Sequence, residues 1–265
     1  MQPGGGSSQL EIQIDDKTYA GANGKPVTAV SGFALAVEQN SFVALLGPSG
    51  CGKTTILQIV AGLDHDFRGS INWNMAPHIG FVFQEPRLLP WRTVRQNIEL
   101  ALDHDAPGEE VPALAAAAGI SKVLDRFPGE LSLGLARRVA IARAFACKPN
   151  VLLLDEPFVS LDEPNARKLR ALLMKVWSER PVTAFLVTHS LHDALELADR
   201  LILLAPRPTK IITEIELNIP RKVRSERQIN QLRTQIKAGY PAFFESDEDC
   251  TPAATTADTP ASTAD

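Results

Sequence analysis

Cysteine is scarce in this 265-residue chain: the three thiols, Cys51, Cys147 and Cys250, are too few and too scattered for a disulfide framework or a zinc site. No uninterrupted apolar run approaches the roughly 18 residues that a membrane helix needs. Basic residues show no excess. Lys and Arg number 27 against 31 Asp and Glu, and a net charge of −4 gives no global reason to expect nucleic-acid binding. Met1 to Leu10 is rich in Gly and Ser and lacks the basic region and apolar core of a signal peptide. The expectation is a soluble protein of a reducing, cytoplasmic compartment, neither membrane-spanning nor secreted nor collagen-like. A peripheral membrane partner stays open.

What is present is ordinary for a globular protein, with 45% hydrophobic and 22% charged residues, enough chain for a full core in one or two domains. There is no internal repeat and no sustained heptad pattern. Leu10, Ile12 and Ile14, then Phe33, Leu35 and Val37, alternate as half-buried strands do. Ala20 to Lys25, with Gly21, Asn23 and Gly24, reads as the turn between them. Phe42 to Leu46, Ile79 to Phe83, Val151 to Leu154, Ala184 to Val187 and Leu201 to Leu204 are short apolar strands. Helical segments are expected from Lys53 to about Leu63, over most of Glu85 to Ala146, and from Ala166 to Ser178, where Leu169, Leu172, Leu173 and Val176 share a face. Strands alternating with helices predict an α/β fold, a mainly parallel sheet with covering helices. Lys210 to Leu217 is a further hairpin or edge strand. Ile229, Leu232 and Ile236 sit at helical spacing in a basic stretch, and the acidic segment from Glu245 to Asp265 is expected to be disordered.

Gly47-Pro48-Ser49-Gly50-Cys51-Gly52-Lys53-Thr54 fits G-x-x-x-x-G-K-[ST], with an apolar strand before it and a helix after it. Glycines let backbone N–H groups curl around phosphate oxygens, and the helix N-terminus adds favourable dipole charge. Lys53 would reach the β- and γ-phosphates of a nucleotide, and the Thr54 hydroxyl would ligate Mg²⁺. Val151 to Leu154 is an apolar strand that ends in Asp155 and Glu156. Asp155 is the candidate Mg²⁺-organising carboxylate, and Glu156 the candidate general base that polarises an attacking water.

The order of motifs over residues 10–206 resembles the ATP-binding subunit of ATP-binding cassette (ABC) transporters. The resemblance is carried by the phosphate loop, Gln84 in Gly80-Phe81-Val82-Phe83-Gln84, Leu131-Ser132-Leu133-Gly134-Leu135, Asp155-Glu156-Pro157, Ser160-Leu161-Asp162, and His189 in Val187-Thr188-His189. It implies a P-loop NTPase fold of ABC type, with an antiparallel β edge and a helical subdomain at about 85–131. The cassette would run over 10–244, with a C-terminal extension at about 206–244, between a flexible 1–9 and a disordered 245–265. The substrate implied is Mg-ATP, gripped by Gly47, Pro48, Ser49, Gly50, Cys51, Gly52, Lys53, Thr54 and Thr55. Gln84 would sense Mg²⁺, γ-phosphate and water, and His189 would hold Glu156 and bond the γ-phosphate. Ser132, Gly134 and Asp162 would face ATP across a dimer of two copies, and Tyr19 would stack on adenine. The partners implied are a second copy, a transmembrane permease and, indirectly, a solute-binding protein. The place implied is the cytoplasmic face of the inner membrane, as a peripheral subunit.

The family's signature reads LSGGQ, whereas Leu133 and Leu135 here replace a glycine and a polar residue. The favoured expectation is that Leu133 packs into the helical subdomain. The competing one is that it loosens the closed dimer, which would suit an ATP-binding regulatory subunit with little hydrolysis. Leu88-Leu89-Pro90-Trp91-Arg92-Thr93-Val94, with Asn97 shortly after, resembles importers of the nitrate, sulfonate, taurine and bicarbonate group.

Overall fold

The computed structural model describes residues 8–21, 24–102 and 110–248. Of the expected flexible segment 1–9 and disordered tail 245–265, residues 1–7 and 249–265 lie outside the described residues. Two sheets organise the chain. The smaller is antiparallel, in the order β2-β1-β4, from β1 (Ser8–Ala20), β2 (Pro26–Glu38) and β4 (Arg68–Trp73). Its inner face is the expected alternation, with Leu10, Ile12, Ile14, Phe33, Leu35 and Val37 buried.

The first strand begins earlier than the expected boundary at Leu10. Ser8 pairs with Glu38, and the buried Gln9 accepts a hydrogen bond from Thr183 Oγ1 at 3.1 Å. The third strand, β4, was not anticipated. Its residues alternate weakly, and Gly69, at φ 139°, lies so close to β1 that a Cβ would stand 2.0 Å from the Gln13 carbonyl oxygen. Pairing with β1, rather than a strong pattern of its own, makes it a strand.

The larger sheet runs β5-β6-β7-β3-β8-β9, from β3 (Phe42–Leu46), β5 (Ile79–Val82), β6 (Val151–Asp155), β7 (Thr183–Thr188), β8 (Arg200–Leu204) and β9 (Ile211–Glu216). All neighbours are parallel except β8 and β9. Every residue of β3, β6 and β7 is buried, which explains their uninterrupted apolar runs. The helix α1 (Lys53–Val60) presents Ile56, Leu57, Ile59 and Val60 to a core shared by the two sheets.

The other face of the large sheet is covered by α2 (Val94–Glu99), α3 (Glu110–Ala118), α4 (Leu133–Ala146) and α5 (Glu163–Glu179). Pro86–Thr93 is irregular rather than helical. The buried Asn97 holds it, accepting from Leu89 N at 2.8 Å and donating to the carbonyls of Leu89, Arg92 and Thr93. Then α6 (Leu191–Leu197), α7 (Glu226–Gly239) and α8 (Pro241–Glu248) close the chain. Ser225 and Gln228 form a capping box at the start of α7, which buries Ile229 and Ile236 as their spacing predicts. The helix α8 overruns the expected start of the disordered tail at Glu245. It is anchored by Phe243, which is buried and stands edge-to-face with Phe244 at 4.8 Å.

Because Ile229 is 2% exposed within the main core, Ile229→Ala should cost about 2–4 kcal/mol in denaturant unfolding. A loss below about 0.5 kcal/mol would mean that α7 is not docked on the core.

Candidate active site

Parallel strands put their carboxyl ends on one edge, and this is where α/β sheets bind ligands. Here that edge carries the phosphate loop after β3, Asp155 and Glu156 at the end of β6, and His189 after β7. In-register pairing of Leu46 with Thr188 and of Asp155 with Val187 brings the three loops to one level. Backbone curvature follows from glycine where it must: Gly50 has φ 74° and Gly52 φ 121°.

Lys53 is buried, and its ammonium donates to the carbonyls of Gly47 at 2.7 Å and Pro48 at 2.9 Å. It stands 3.7 Å from Glu156 Oε1. Glu156 Oε2 in turn accepts from His189 Nδ1 at 2.6 Å. One carboxylate is therefore held between a lysine and an imidazole, with both its oxygens engaged. Glu156 has φ 47°, unusual for a residue with a side chain, and its N–H donates to Val187 O at 2.9 Å. The hydrogen bond that His189 donates to Glu156 raises the His189 pKa above its ordinary value, against the opposing effect of burial. The imidazolium thus persists to higher pH. Its contribution to stability is complete below the unfolded-state pKa and fades as pH rises through the raised folded value.

Thr54 Oγ1 donates to Asp155 Oδ1 at 3.0 Å. Burial pushes the Asp155 pKa up; the Thr54 hydrogen bond opposes this, and the nearby Glu156 charge adds to it. Asp155 is 3% exposed, so its carboxylate has exchanged water for this hydroxyl. The cleft beside it, of about 510 Å³, is lined by Thr54, Gln84, Asp155, Leu133, Arg137 and Ser160, among others. Gln84 is exposed at its wall, just past the end of β5.

Ser132 caps α4 and accepts from Leu135 N at 3.4 Å. Leu133 departs from the expectation that it packs into the helical subdomain. It is 42% exposed and lines two open clefts, whereas Leu135 packs on the core. The cause is position: Leu133 is the first residue of α4, where the helix leaves the subdomain, and Leu135 lies two residues further round. A Cβ on Gly134 would meet nothing within 4 Å, so the packing around Gly134 does not require a glycine there. Asp162 caps α5, accepting from Asn165 N at 2.8 Å, and its side chain is otherwise exposed. Tyr19 is half-exposed near the end of β1, its hydroxyl donating to Asp64 Oδ2 at 3.1 Å and lying 3.3 Å from Thr55 Oγ1. Cys51 is buried against the phosphate loop, its sulfur 3.0 Å from where a Cβ on Gly47 would stand.

Arg170 was not anticipated. It is 2% exposed and pairs with Glu163 at 2.7 Å, Asp193 at 2.8 Å and Glu196. It ties α5, which follows Asp162, to α6, which follows His189. An arginine inside an amphipathic helix carries no sequence signal of this, since its carboxylates are 7 to 26 positions away.

Residues 30–159 match the protein family described as ABC transporter. The chain is 42% identical over 80% of its length, and over 87% of the relative, to the aliphatic sulfonates import ATP-binding protein SsuB 1 of Pseudomonas savastanoi pv. phaseolicola. It is 38% identical over 91% of its length, and 96% of the relative, to the aliphatic sulfonates import ATP-binding protein SsuB of Bacillus subtilis. Among solved structures, the dimeric post-hydrolysis state of the ATP-binding cassette MJ0796 bound to ADP and Pi superposes with a TM-score of 0.67 at 27% identity. That match covers 80% of this chain and all of the other. A sulfonate-import relative at 42% identity over 80% of the chain, the family match and the nucleotide-binding fold together establish that this chain belongs to the ATP-binding subunits of ABC transporters, ATPases that couple hydrolysis to transport.

Proposed function

We propose that the chain energises a bacterial importer of aliphatic sulfonates, acting as a dimer of two copies on the cytoplasmic face of the membrane. The observation that carries the catalytic part is the Glu156 carboxylate held between Lys53 and His189, beside the phosphate loop. Lys53 exchanges its two loop carbonyls for oxygens of the β- and γ-phosphates. Glu156 orients a water and takes its proton as the water oxygen bonds the γ-phosphorus and the bond to the bridging oxygen breaks, leaving ADP and phosphate. His189 keeps Glu156 in place and bonds the γ-phosphate. Gln84 reports the state of the cleft to the permease.

Thr54 and Asp155 offer a hydroxyl and a carboxylate, hard oxygen donors within hydrogen-bond distance of each other, which suits Mg²⁺ with Gln84 as a further oxygen donor. Bound there, Mg²⁺ would supply charge neutralisation on the phosphates. Tyr19 would stack on adenine. Ser132, Gly134 and Asp162 would meet the ATP bound by the partner copy. The exposure of Ser132 and Asp162, and the free space around Gly134, support that reading, as does the dimeric state of the cassette MJ0796.

No helix among the described residues is long and apolar enough to cross a membrane. Attachment therefore falls to the permease, for which Trp91, 71% exposed beside the Asn97-held segment, offers an apolar docking point. A solute-binding protein would deliver the sulfonate to that permease. Net acidity gives no support for a nucleic-acid partner.

Cells whose gene copy carries Lys53→Ala should lose uptake of a labelled alkanesulfonate and regain it with the wild-type copy. Uptake that persists in the mutant, with no second ATPase supplied, would refute the sulfonate reading. In the purified chain, Glu156→Gln should lower turnover by at least about 100-fold, retain ATP binding and accumulate an ATP-dependent dimer on size-exclusion chromatography. Turnover equal to wild type would assign the base elsewhere.

The exposure of Leu133 bears on the altered signature. With the permease present, Leu133→Gly should raise turnover several-fold, with a melting temperature no more than about 4 °C lower. Unchanged turnover would show that the leucine does not hinder closure.

A further inference from the structure

The phosphate loop is gripped from behind by the turn that joins β8 to β9. Arg207 Nη2 donates to the Gly50 carbonyl at 2.7 Å. The hydroxyl of Thr209 donates to the Cys51 carbonyl. Thr209 is fully buried and is itself fixed on β2, its N–H donating to Ala29 O at 2.9 Å and its carbonyl accepting from Ser31 N at 3.2 Å. The fit is close. A Cβ on Gly52 would stand 2.5 Å from Thr209 Oγ1 and 3.0 Å from Ala29 O.

A peptide unit is planar and trans, so its carbonyl and the next residue's N–H point in opposite directions. Tying the Gly50 carbonyl outward aims the Cys51 N–H inward, where it donates to Pro48 O at 3.3 Å. Tying the Cys51 carbonyl to Thr209 aims the Gly52 N–H inward in the same way. Both are backbone amides of the kind that phosphate oxygens accept from, the Cys51 N–H by giving up its bond to Pro48 O. A loop rich in glycine has no side-chain sterics of its own to hold such orientations, and two of its glycines sit at positive φ.

We infer that Thr209, assisted by Arg207, is a positioning residue that orders the phosphate loop for nucleotide by fixing its two outward carbonyls. The inference rests on the reading that residues 47–54 hold the phosphates of ATP. Thr209 never touches the nucleotide. It acts through the backbone amides of Cys51 and Gly52, and it joins the small antiparallel sheet, the edge of the large sheet and the loop in one hydrogen-bonded unit.

The test is Thr209→Val, which keeps the shape and removes the hydroxyl, beside Thr209→Ser, which restores it. MgADP affinity of the full chain is measured by calorimetry, together with the ATP dependence of turnover. Losing one hydrogen bond of ordinary net worth corresponds to a rise of about 3- to 10-fold in Kd and KM. Turnover at saturating ATP should stay within about two-fold of wild type, and Thr209→Ser should return Kd to near the wild-type value. An unchanged Kd in Thr209→Val, even with a lower melting temperature, would overturn the inference and leave Thr209 a purely structural residue. Should Thr209→Val fail to fold, Arg207→Ala decides, since Arg207 is exposed: a Kd raised about two-fold or more supports the grip, and an unchanged one overturns it. Wild-type chain that bound no MgADP would instead refute the phosphate-loop reading itself.

Discussion

Leu46 lies beside Thr188, and Val187 beside Asp155, across three parallel strands buried on both faces. Everything at the site depends on that register. The strands end together, so a lysine that opens the helix after one loop, a carboxylate at the end of a second strand and an imidazole after a third converge, the lysine 3.7 Å and the imidazole 2.6 Å from the carboxylate. Register is in turn a consequence of burial. With apolar side chains on both faces, any slip would move whole rows of side chains out of their packing. The chemistry is therefore held by the hydrophobic core, rather than by the few polar contacts visible at its edge.

Those polar contacts are local and strong because water is excluded. Lys53 and Asp155 are nearly inaccessible, and each has found a partner within the loops: carbonyls of the phosphate loop for the ammonium, and the Thr54 hydroxyl for the carboxylate. Such partners are also replaceable. In the proposed function, phosphate oxygens would take the place of the Gly47 and Pro48 carbonyls without the lysine moving through solvent. The positive φ of Glu156 belongs to the same economy of space, since it turns the carboxylate back over the loop instead of along the strand.

Around this rigid edge the chain keeps several elements exposed. Ser132, Leu133 and Asp162 begin helices at the surface, and Trp91 stands out from a segment held by the buried Asn97. Helix starts are well suited to meeting another molecule, because their first amide groups lack partners within the helix. Below the surface, Arg170 pairs carboxylates on α5 and α6, tying the helix that begins at Asp162 to the one that follows His189.

The sequence by itself determined the parallel core and which residues, Lys53, Asp155, Glu156 and His189, meet at its edge. Fully apolar runs such as Phe42–Leu46 and Val151–Leu154 can only be buried strands, and Gly47–Thr54 can be little else than a phosphate loop. Capping residues such as Ser225, and the spacing of Ile229 and Ile236, marked α7 equally well. Other features were not legible, and the reason is the same each time. The strand β4 exists through its pairing with β1, Ser8 and Gln9 are ordered by Glu38 and Thr183, and α8 continues past Glu245 because two phenylalanines anchor its start. Leu133 is exposed although its chemistry argues for burial, because it sits where α4 leaves the subdomain. Thr209 stands 158 positions from the carbonyl it holds, and Arg170 joins helices separated by a strand. Such residues have no periodicity or motif of their own. Only the closing of the chain on itself brings their partners within reach, so tertiary structure alone decided their roles.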